Sequence, residues 1–318
     1  MQIFARRCRA VRLKPAMLRS PCSARMNRTI SPMLPVPEVS IPLERGFLLI
    51  EPATLVHVPE LKQFDMRACT PRVLAHREEL MPRLLDIESL APEMRKTATD
   101  CWLDETEAER PPVVCAWIDS DADVDTLAEH IARYLVGPGT TGRPVFWRYY
   151  DPRVLSLTLA IFDTAQRQAL LGPIKNWQFA WAGHRWSVPG PGVSSDALDG
   201  YVPAWPRVEQ WPRVDRSDIA TRVLNRLPPV TGDEATHLPA ELDRIFSDAV
   251  QRGLTHAEDL ADYAWHCRKY GPAFEQHPAL VEAWPALAGG EVTWPDVVAR
   301  ITPDNFQSFE KSSRSPTA

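Results

Sequence analysis

The sequence predicts an α/β protein: an N-terminal lobe built on a mainly parallel sheet with flanking helices, followed by a small all-α C-terminal lobe. Three observations lead there. Strand-length apolar runs alternate with a helical period between residues 112 and 150, a stretch rich in Pro, Gly and Ser breaks the pattern from Pro189 to Trp211, and every period beyond it is helical. The expected organisation is a disordered basic leader over 1–43, an α/β lobe over 44–189, a proline-rich linker over 190–214, a helical lobe over 215–303 and a disordered tail over 304–318.

The leader stands apart by charge. Residues 1–28 hold eight basic groups and no acid precedes Glu38, so removing those eight from the formal net charge of −5 leaves −13 for the remainder. An acidic body speaks against a nucleic-acid surface, whose affinity rests on Lys and Arg neutralising phosphates. The leader itself is expected to be disordered, or to precede a true start at Met26 or Met33. At 44% hydrophobic residues the chain is rich enough to build a core, yet no uncharged apolar run approaches the length of a membrane span. The six cysteines are scattered without a Cys-x-x-Cys pair, so reduced thiols are expected and no metal or other cofactor.

The elements follow in order. Gly46–Ile50 reads as a strand leading into Glu51-Pro52, and Leu74 to Leu85 reads as helix interrupted at Pro82. Pro112 to Ile118 is of buried-strand type. Val124, Leu127, Ala128, Ile131 and Leu135 then share a helical face that Gly137-Pro138 stops. A third run, apolar and aromatic, climbs to Tyr150. Strand, helix and strand at this spacing make a β-α-β unit, the source of the expected parallel sheet. Asp151-Pro152 reads as N-cap and first-turn proline of the next helix, which carries Leu155, Leu159 and Phe162 and ends at Gly172-Pro173. Trp177 to Val188 is expected to form a hairpin turning near Gly183.

Beyond the linker, Ile219 to Leu227 and Leu238 to Val250 are amphipathic, and Thr255 to Glu258 offers a capping box for a third helix through Cys267. Two shorter helices are expected over 281–287 and 297–301.

Several motifs tempt a functional reading. Gly137-Pro138-Gly139-Thr140-Thr141-Gly142 matches a dinucleotide fingerprint in letters, but it closes a helix and precedes a strand, the reverse of the context such a site needs. Asp119, Asp121, Asp123 and Asp125 start like a calcium loop that lacks its later glycine and glutamate, so acids serving a helix N-terminus explain them more simply. His256, His266, Cys267 and His277 fit no zinc spacing. No nucleophile elbow, phosphate loop or zinc-protease helix is present.

The densest stretch is Phe146-Trp147-Arg148-Tyr149-Tyr150-Asp151-Pro152-Arg153-Val154-Leu155, followed by Gly172-Pro173-Ile174 and Trp177. This pattern resembles the signature of the bacterial type VI secretion adaptor family, whose members act as effector chaperones. The resemblance covers about Glu44 to Pro189 and sets Glu51 where the family carries an acid after its first strand. It implies a cytoplasmic adaptor, not an enzyme, whose partners are a cognate toxic effector and the secretion spike protein. No nucleic acid and no membrane span enter that picture.

The residues themselves leave two readings of Arg148, Tyr150, Asp151 and Arg153. They form either an internal clasp, in which Asp151 caps its helix and pairs with an arginine, or a surface whose guanidinium forks grip a partner anion. The competing reading from another class is a small-molecule enzyme using an Arg-lined crevice near Arg148 and Asp151, with Asp151 or Glu51 as base. Trp265, Trp284 and Trp294 in the helical lobe are the candidates for gripping the client.

Overall fold

The computed structural model describes residues 32–36, 44–193 and 204–313. These residues fall within one compact unit, Ser31–Ala318. Most of the expected basic leader, part of the expected linker (194–203) and the last five residues, 314–318, lie outside the described residues.

The strands are β1 (Leu34–Pro35), β2 (Phe47–Ile50), β3 (Arg67–Ala68), β4 (Arg83–Asp86), β5 (Val114–Ser120), β6 (Val136–Pro138), β7 (Pro144–Phe146), β8 (Ile174–Trp181) and β9 (His184–Pro189). Seven of them form one sheet in the order β1-β9-β8-β5-β2-β4-β3. Every pairing in it is antiparallel, which corrects the expectation of a mainly parallel sheet. The β-α-β reading failed at its third member. The glycine-rich segment after the helix folds back on itself, so β6 and β7 make a separate two-stranded ribbon, and residues 147–150 are irregular and join neither sheet. Of the fingerprint-like glycines, Gly137 lies on β6 opposite Val145, and Gly139 and Gly142 lie in the turn of that ribbon, with Gly142 N–H donating to Gly139 O at 3.0 Å. Periodicity reports which residues are apolar, and buried irregular backbone carries the same signature as a buried strand.

Two further expectations shift for local reasons. Residues Arg72–Leu80 form a 3₁₀ segment broken at Leu74 and Arg77, and Leu84 and Leu85 lie on β4. Pro71 and Pro82 bracket that segment, removing the donors a longer helix needs. The hairpin at Gly183 forms as expected, with Trp181 opposite His184. Its two turn residues, Ala182 and Gly183, both have positive φ, 53° and 75°. That is the geometry of a type I′ turn, which favours Asn or Gly where Ala182 stands.

The helices are α1 (Pro92–Asp104), α2 (Val124–Arg133), α3 (Pro152–Ile161), α4 (Thr164–Leu171), α5 (Trp211–Val214), α6 (Ser217–Leu224), α7 (Gly232–Gln251), α8 (Ala257–Tyr270), α9 (Pro272–Glu275), α10 (Pro278–Ala288), α11 (Trp294–Val298) and α12 (Pro303–Ser313). The single helix expected from Pro152 to Leu171 is two: Asp163 starts α4 with a reciprocal capping box to Gln166. The box expected at Thr255 does not form, because His256 is the N-cap of α8 and Glu258 instead pairs with Arg222. Residues 304–313, part of the stretch expected as a tail, are helical, and Phe309 is buried against Tyr270 and Phe274.

Side-chain alternation gives the sheet two buried faces. On β2, Leu48 and Ile50 join Leu85, Val114 and Trp102 on the side that α1 covers, whereas Phe47 and Leu49 face the larger core. That core is continuous from the sheet through α2, α3 and α4 into α5–α12. Helix α3 is the bridge, packed on β8 and also against α5, α6 and α7. The segment expected as a linker contributes Trp205 and Trp211, whose rings lie 5.2 Å and 5.8 Å from that of Trp147 and whose Nε1 atoms both donate to Pro138 O.

Met33 anchors the first edge strand. Its side chain is buried in the larger core, and Leu34 pairs with Ser187 of β9. Met33→Ala is expected to cost about 2–4 kcal/mol, the range for emptying a buried methionine site, read from the midpoint and slope of urea unfolding. Ala182→Gly is expected to stabilise the same transition by several tenths of a kcal/mol, roughly, by removing the Cβ from a left-handed turn position.

Candidate functional site

The end of β2 and the start of α3 meet inside the molecule. At the first, β5 carries a bulge: Leu49 pairs with Ala116 and Ile50 with Val114, leaving Cys115 as the extra residue. Glu51 follows, held to the sheet by its N–H donating to Val113 O at 2.9 Å. Its side chain turns inward and is 2% exposed. At the second, Asp151 is the N-cap of α3 with Pro152 at the first position, as the sequence predicts, and it is 3% exposed.

Two buried carboxylates this close need partners, and each has them. Glu51 Oε1 accepts from Ala53 N at 3.0 Å, while Oε2 accepts from the Tyr150 hydroxyl at 2.8 Å and lies 2.6 Å from Arg148 Nη2. Asp151 Oδ1 accepts from Arg153 N at 3.0 Å and Nε at 2.9 Å, and Oδ2 from Arg153 Nη2 at 2.5 Å. Arg148 Nη2 also lies 3.6 Å from Asp151 Oδ2, so one guanidinium bridges both acids.

The cluster is balanced, two carboxylates against two guanidiniums. Burial opposes the charge of Arg148, but Glu51, Tyr150 and Asp151 outweigh it and raise its pKa. For Arg153 the hydrogen bonds to Asp151 lead, again upward. Burial and then Glu51 push the Tyr150 hydroxyl up, which keeps it the neutral donor that Glu51 requires. The Cys115 thiol, buried beside Asp151 and Glu51, is also raised and stays protonated. A neutral thiol is no nucleophile.

Arg148, Tyr150, Asp151, Pro152 and Arg153 are thus brought together, with Glu51 as their sixth member. Gly172, Pro173 and Trp177 are not in contact with this clasp. Gly172 caps α4 at φ 46°, and a Cβ there would meet the His130 ring at 2.3 Å. Pro173 O accepts from the Ser120 hydroxyl at 2.8 Å, and Trp177 is buried on β8. These three serve the packing of α4 and β8.

The tryptophans of the helical region take different places. Trp294 is 2% exposed and donates through Nε1 to Asp262 Oδ2 at 2.9 Å, so it belongs to the core. Burial works against the charge of Asp262, but hydrogen bonds from His266, Arg226 and Trp294 prevail and lower its pKa. Trp265 and Trp284 are half-buried; Arg226 and Lys269 lie 4.7 Å and 4.9 Å from the Trp265 ring centre, and Arg252 lies 5.0 Å from that of Trp284.

The aspartates that resembled a calcium loop are spent singly. Asp123 caps α2 through Thr126 N at 2.8 Å, Asp121 pairs with Lys175, and Asp125 with Arg67. Among the described residues no group of three or more His, Cys, Asp or Glu side chains could hold a metal ion.

A second clasp had no sequence signal. Glu105, just past α1, accepts from Arg110 Nη2 at 2.8 Å and Nη1 at 3.2 Å and from Val114 N at 2.9 Å. The bonds close a loop of irregular backbone onto β5, and no periodicity marks such a contact. Between the two clasps opens a cavity of about 630 Å³, lined by the 105–112 loop, Pro152 and Arg153 of α3, the β8–β9 turn, Thr221 and Leu224 of α6, and the 225–230 segment that follows α6.

Residues 47–169 match the model of a family described as Domain of unknown function (DUF4123). The matched segment begins on β2 and ends in α4, and it contains both clasps. No curated protein and no solved structure matches the chain. Among the described residues no helix is long and apolar enough to cross a membrane.

Two measurements test the electrostatics. Asp151→Ala removes a cap and strands Arg153, and is expected to cost about 2–4 kcal/mol in chemical denaturation. Elsewhere in the core, burial holds the His130 imidazole at a pKa of about 4, with its Nε2–H donating to Leu170 O at 2.9 Å and its Nδ1 unpartnered. The unfolded chain therefore takes up that proton first. Its contribution is complete above the ordinary histidine pKa near 6.5 and is lost as pH falls through 4, about 3 kcal/mol in all. Unfolding midpoints measured from pH 7 to pH 4 are expected to fall less steeply for His130→Gln than for the parent protein.

Proposed function

We propose that the chain is an adaptor that binds a cognate type VI secretion effector in the cytoplasm of a bacterium and loads it onto the secretion spike protein, for toxin delivery, without catalysing a reaction. One observation carries this reading. The segment that resembles the adaptor signature and the segment that matches DUF4123, a family associated with type VI effector chaperones and adaptors, overlap on the clasp of Glu51, Arg148, Tyr150, Asp151 and Arg153. In this reading the clasp is a frame. It locks the end of β2 to the start of α3, and α3 carries the helices that follow.

The chemistry favours binding over catalysis. A general base needs a carboxylate with a free lone pair facing a substrate, and both Glu51 and Asp151 are engaged on both oxygens. Neither of them, nor Arg148, lines the neighbouring cavity. The half-buried Trp265 and Trp284, each under a cation, are proposed to contribute to the client surface, and Trp294 to support them from within the core.

The experiment is co-purification. A tagged chain expressed with the toxin and spike genes of a type VI-positive host is expected to recover both proteins, and Trp265→Ala with Trp284→Ala to weaken toxin recovery at least several-fold while the spike is retained. Recovery of neither protein by the parent chain, with turnover of a small anionic substrate instead, would replace the adaptor with the enzyme.

A further inference from the structure

The cavity between the two clasps has unusual walls. Pro111 and Pro112 stand on one side, Pro228 and Pro229 on another, and Pro152 at the head of α3, so the shape is set before anything enters it. The far wall is tied to the hairpin by His184 Nε2 donating to Val230 O at 2.7 Å. Its volume of about 630 Å³ lies in the range of true binding clefts, about 300–1,000 Å³.

The hydrogen-bonding capacity of this cleft is lopsided. Glu105 and Asp151, behind the two lining arginines, each already accept four or more contacts from the protein, and a carboxylate has about four acceptor sites. The donors are not used up. Arg153 holds Asp151 through Nε and Nη2, leaving Nη1 without a partner among the described residues, and the indole N–H of Trp181 has none either. The remaining charge is Glu109, which lines the cleft with no ion pair or hydrogen bond among the described residues. An occupant that displaces water from the cleft must therefore bring acceptors for Arg153 and Trp181, apolar surface for the prolines and Leu224, and a positive charge to pair with Glu109.

We propose that this cleft docks an extended, proline- or aliphatic-rich segment of a partner protein, its main-chain carbonyls accepting from Arg153 and Trp181 and a Lys or Arg at one end pairing with Glu109. Extended backbone supplies unpaired carbonyls at regular intervals, and a stiff segment loses little entropy on entering a stiff groove. The inference deepens the adaptor reading and rests on it for a protein as the partner.

The test uses the full chain and phage-displayed linear decapeptides, with selected peptides synthesised and titrated by fluorescence polarisation. Enrichment of apolar peptides carrying a terminal basic residue is expected. Asn225→Trp, which fills the cleft from an exposed position, is expected to weaken them tenfold or more. Glu109→Lys is expected to do the same and to select acidic peptides instead, both variants melting within a few degrees of the parent. Ala108→Trp replaces Asn225→Trp if the latter fails to fold. Failure to select any peptide, or equal binding to the filled cleft, overturns the proposal. If an effector co-purifies equally with the parent and with Asn225→Trp, the cleft falls and the adaptor stands. If peptides bind as described but no effector or spike is recovered, the adaptor falls and the cleft stands.

Discussion

The buried carboxylate of Glu51 is the constraint on which the rest of the structure depends. An acid at 2% exposure is tolerable only if its lone pairs are filled; Ala53 N–H fills Oε1 locally, and the groups on Oε2, Arg148 and Tyr150, come from 97 and 99 residues along the chain. Satisfying one buried charge thus fixes where α3 must begin. Asp151 repeats the logic at the helix itself, and the Arg148 guanidinium shared between the acids makes one network of four charges.

Geometry upstream prepares that meeting. The bulge at Cys115 shifts the register of β2 against β5 just before Glu51, whose N–H still donates to Val113 O while its side chain is buried. From the other side, Trp147 and Tyr149 thread the irregular run 147–150 through the core, with Trp147 N–H donating to Leu135 O at 2.8 Å and the Tyr149 hydroxyl to Ile131 O at 3.2 Å. Side-chain burial and these two bonds do for this stretch what a sheet ladder does for a strand. Helix α3 then transmits the arrangement, since it packs on β8 of the sheet and also against α6 and α7.

Proline shapes the outer surface in the same spirit. The chain has 31 prolines and 14 glycines, and where loops converge beside the clasp the prolines form stiff walls instead of mobile flaps. The loop from Glu105 to Val113 is closed by Arg110 and its far neighbour by His184, so the cleft between them is preformed.

Much was legible in the amino-acid sequence where the cause is local. Asp151-Pro152 announces a helix start because a cap and a fixed φ act within two residues, and Gly183 announces a hairpin because only a few residue types accept a left-handed turn. The grouping of Arg148, Tyr150, Asp151 and Arg153 was legible because these residues are neighbours in the chain. Tertiary structure alone decided the direction of the strands, since an apolar run reads the same whichever way its neighbours point and whether or not it joins the sheet. It alone brought Glu51 to Tyr150 and Glu105 to Arg110 and Val114, because those bonds join irregular or distant backbone, where no period in the sequence records which buried acid will find which donor.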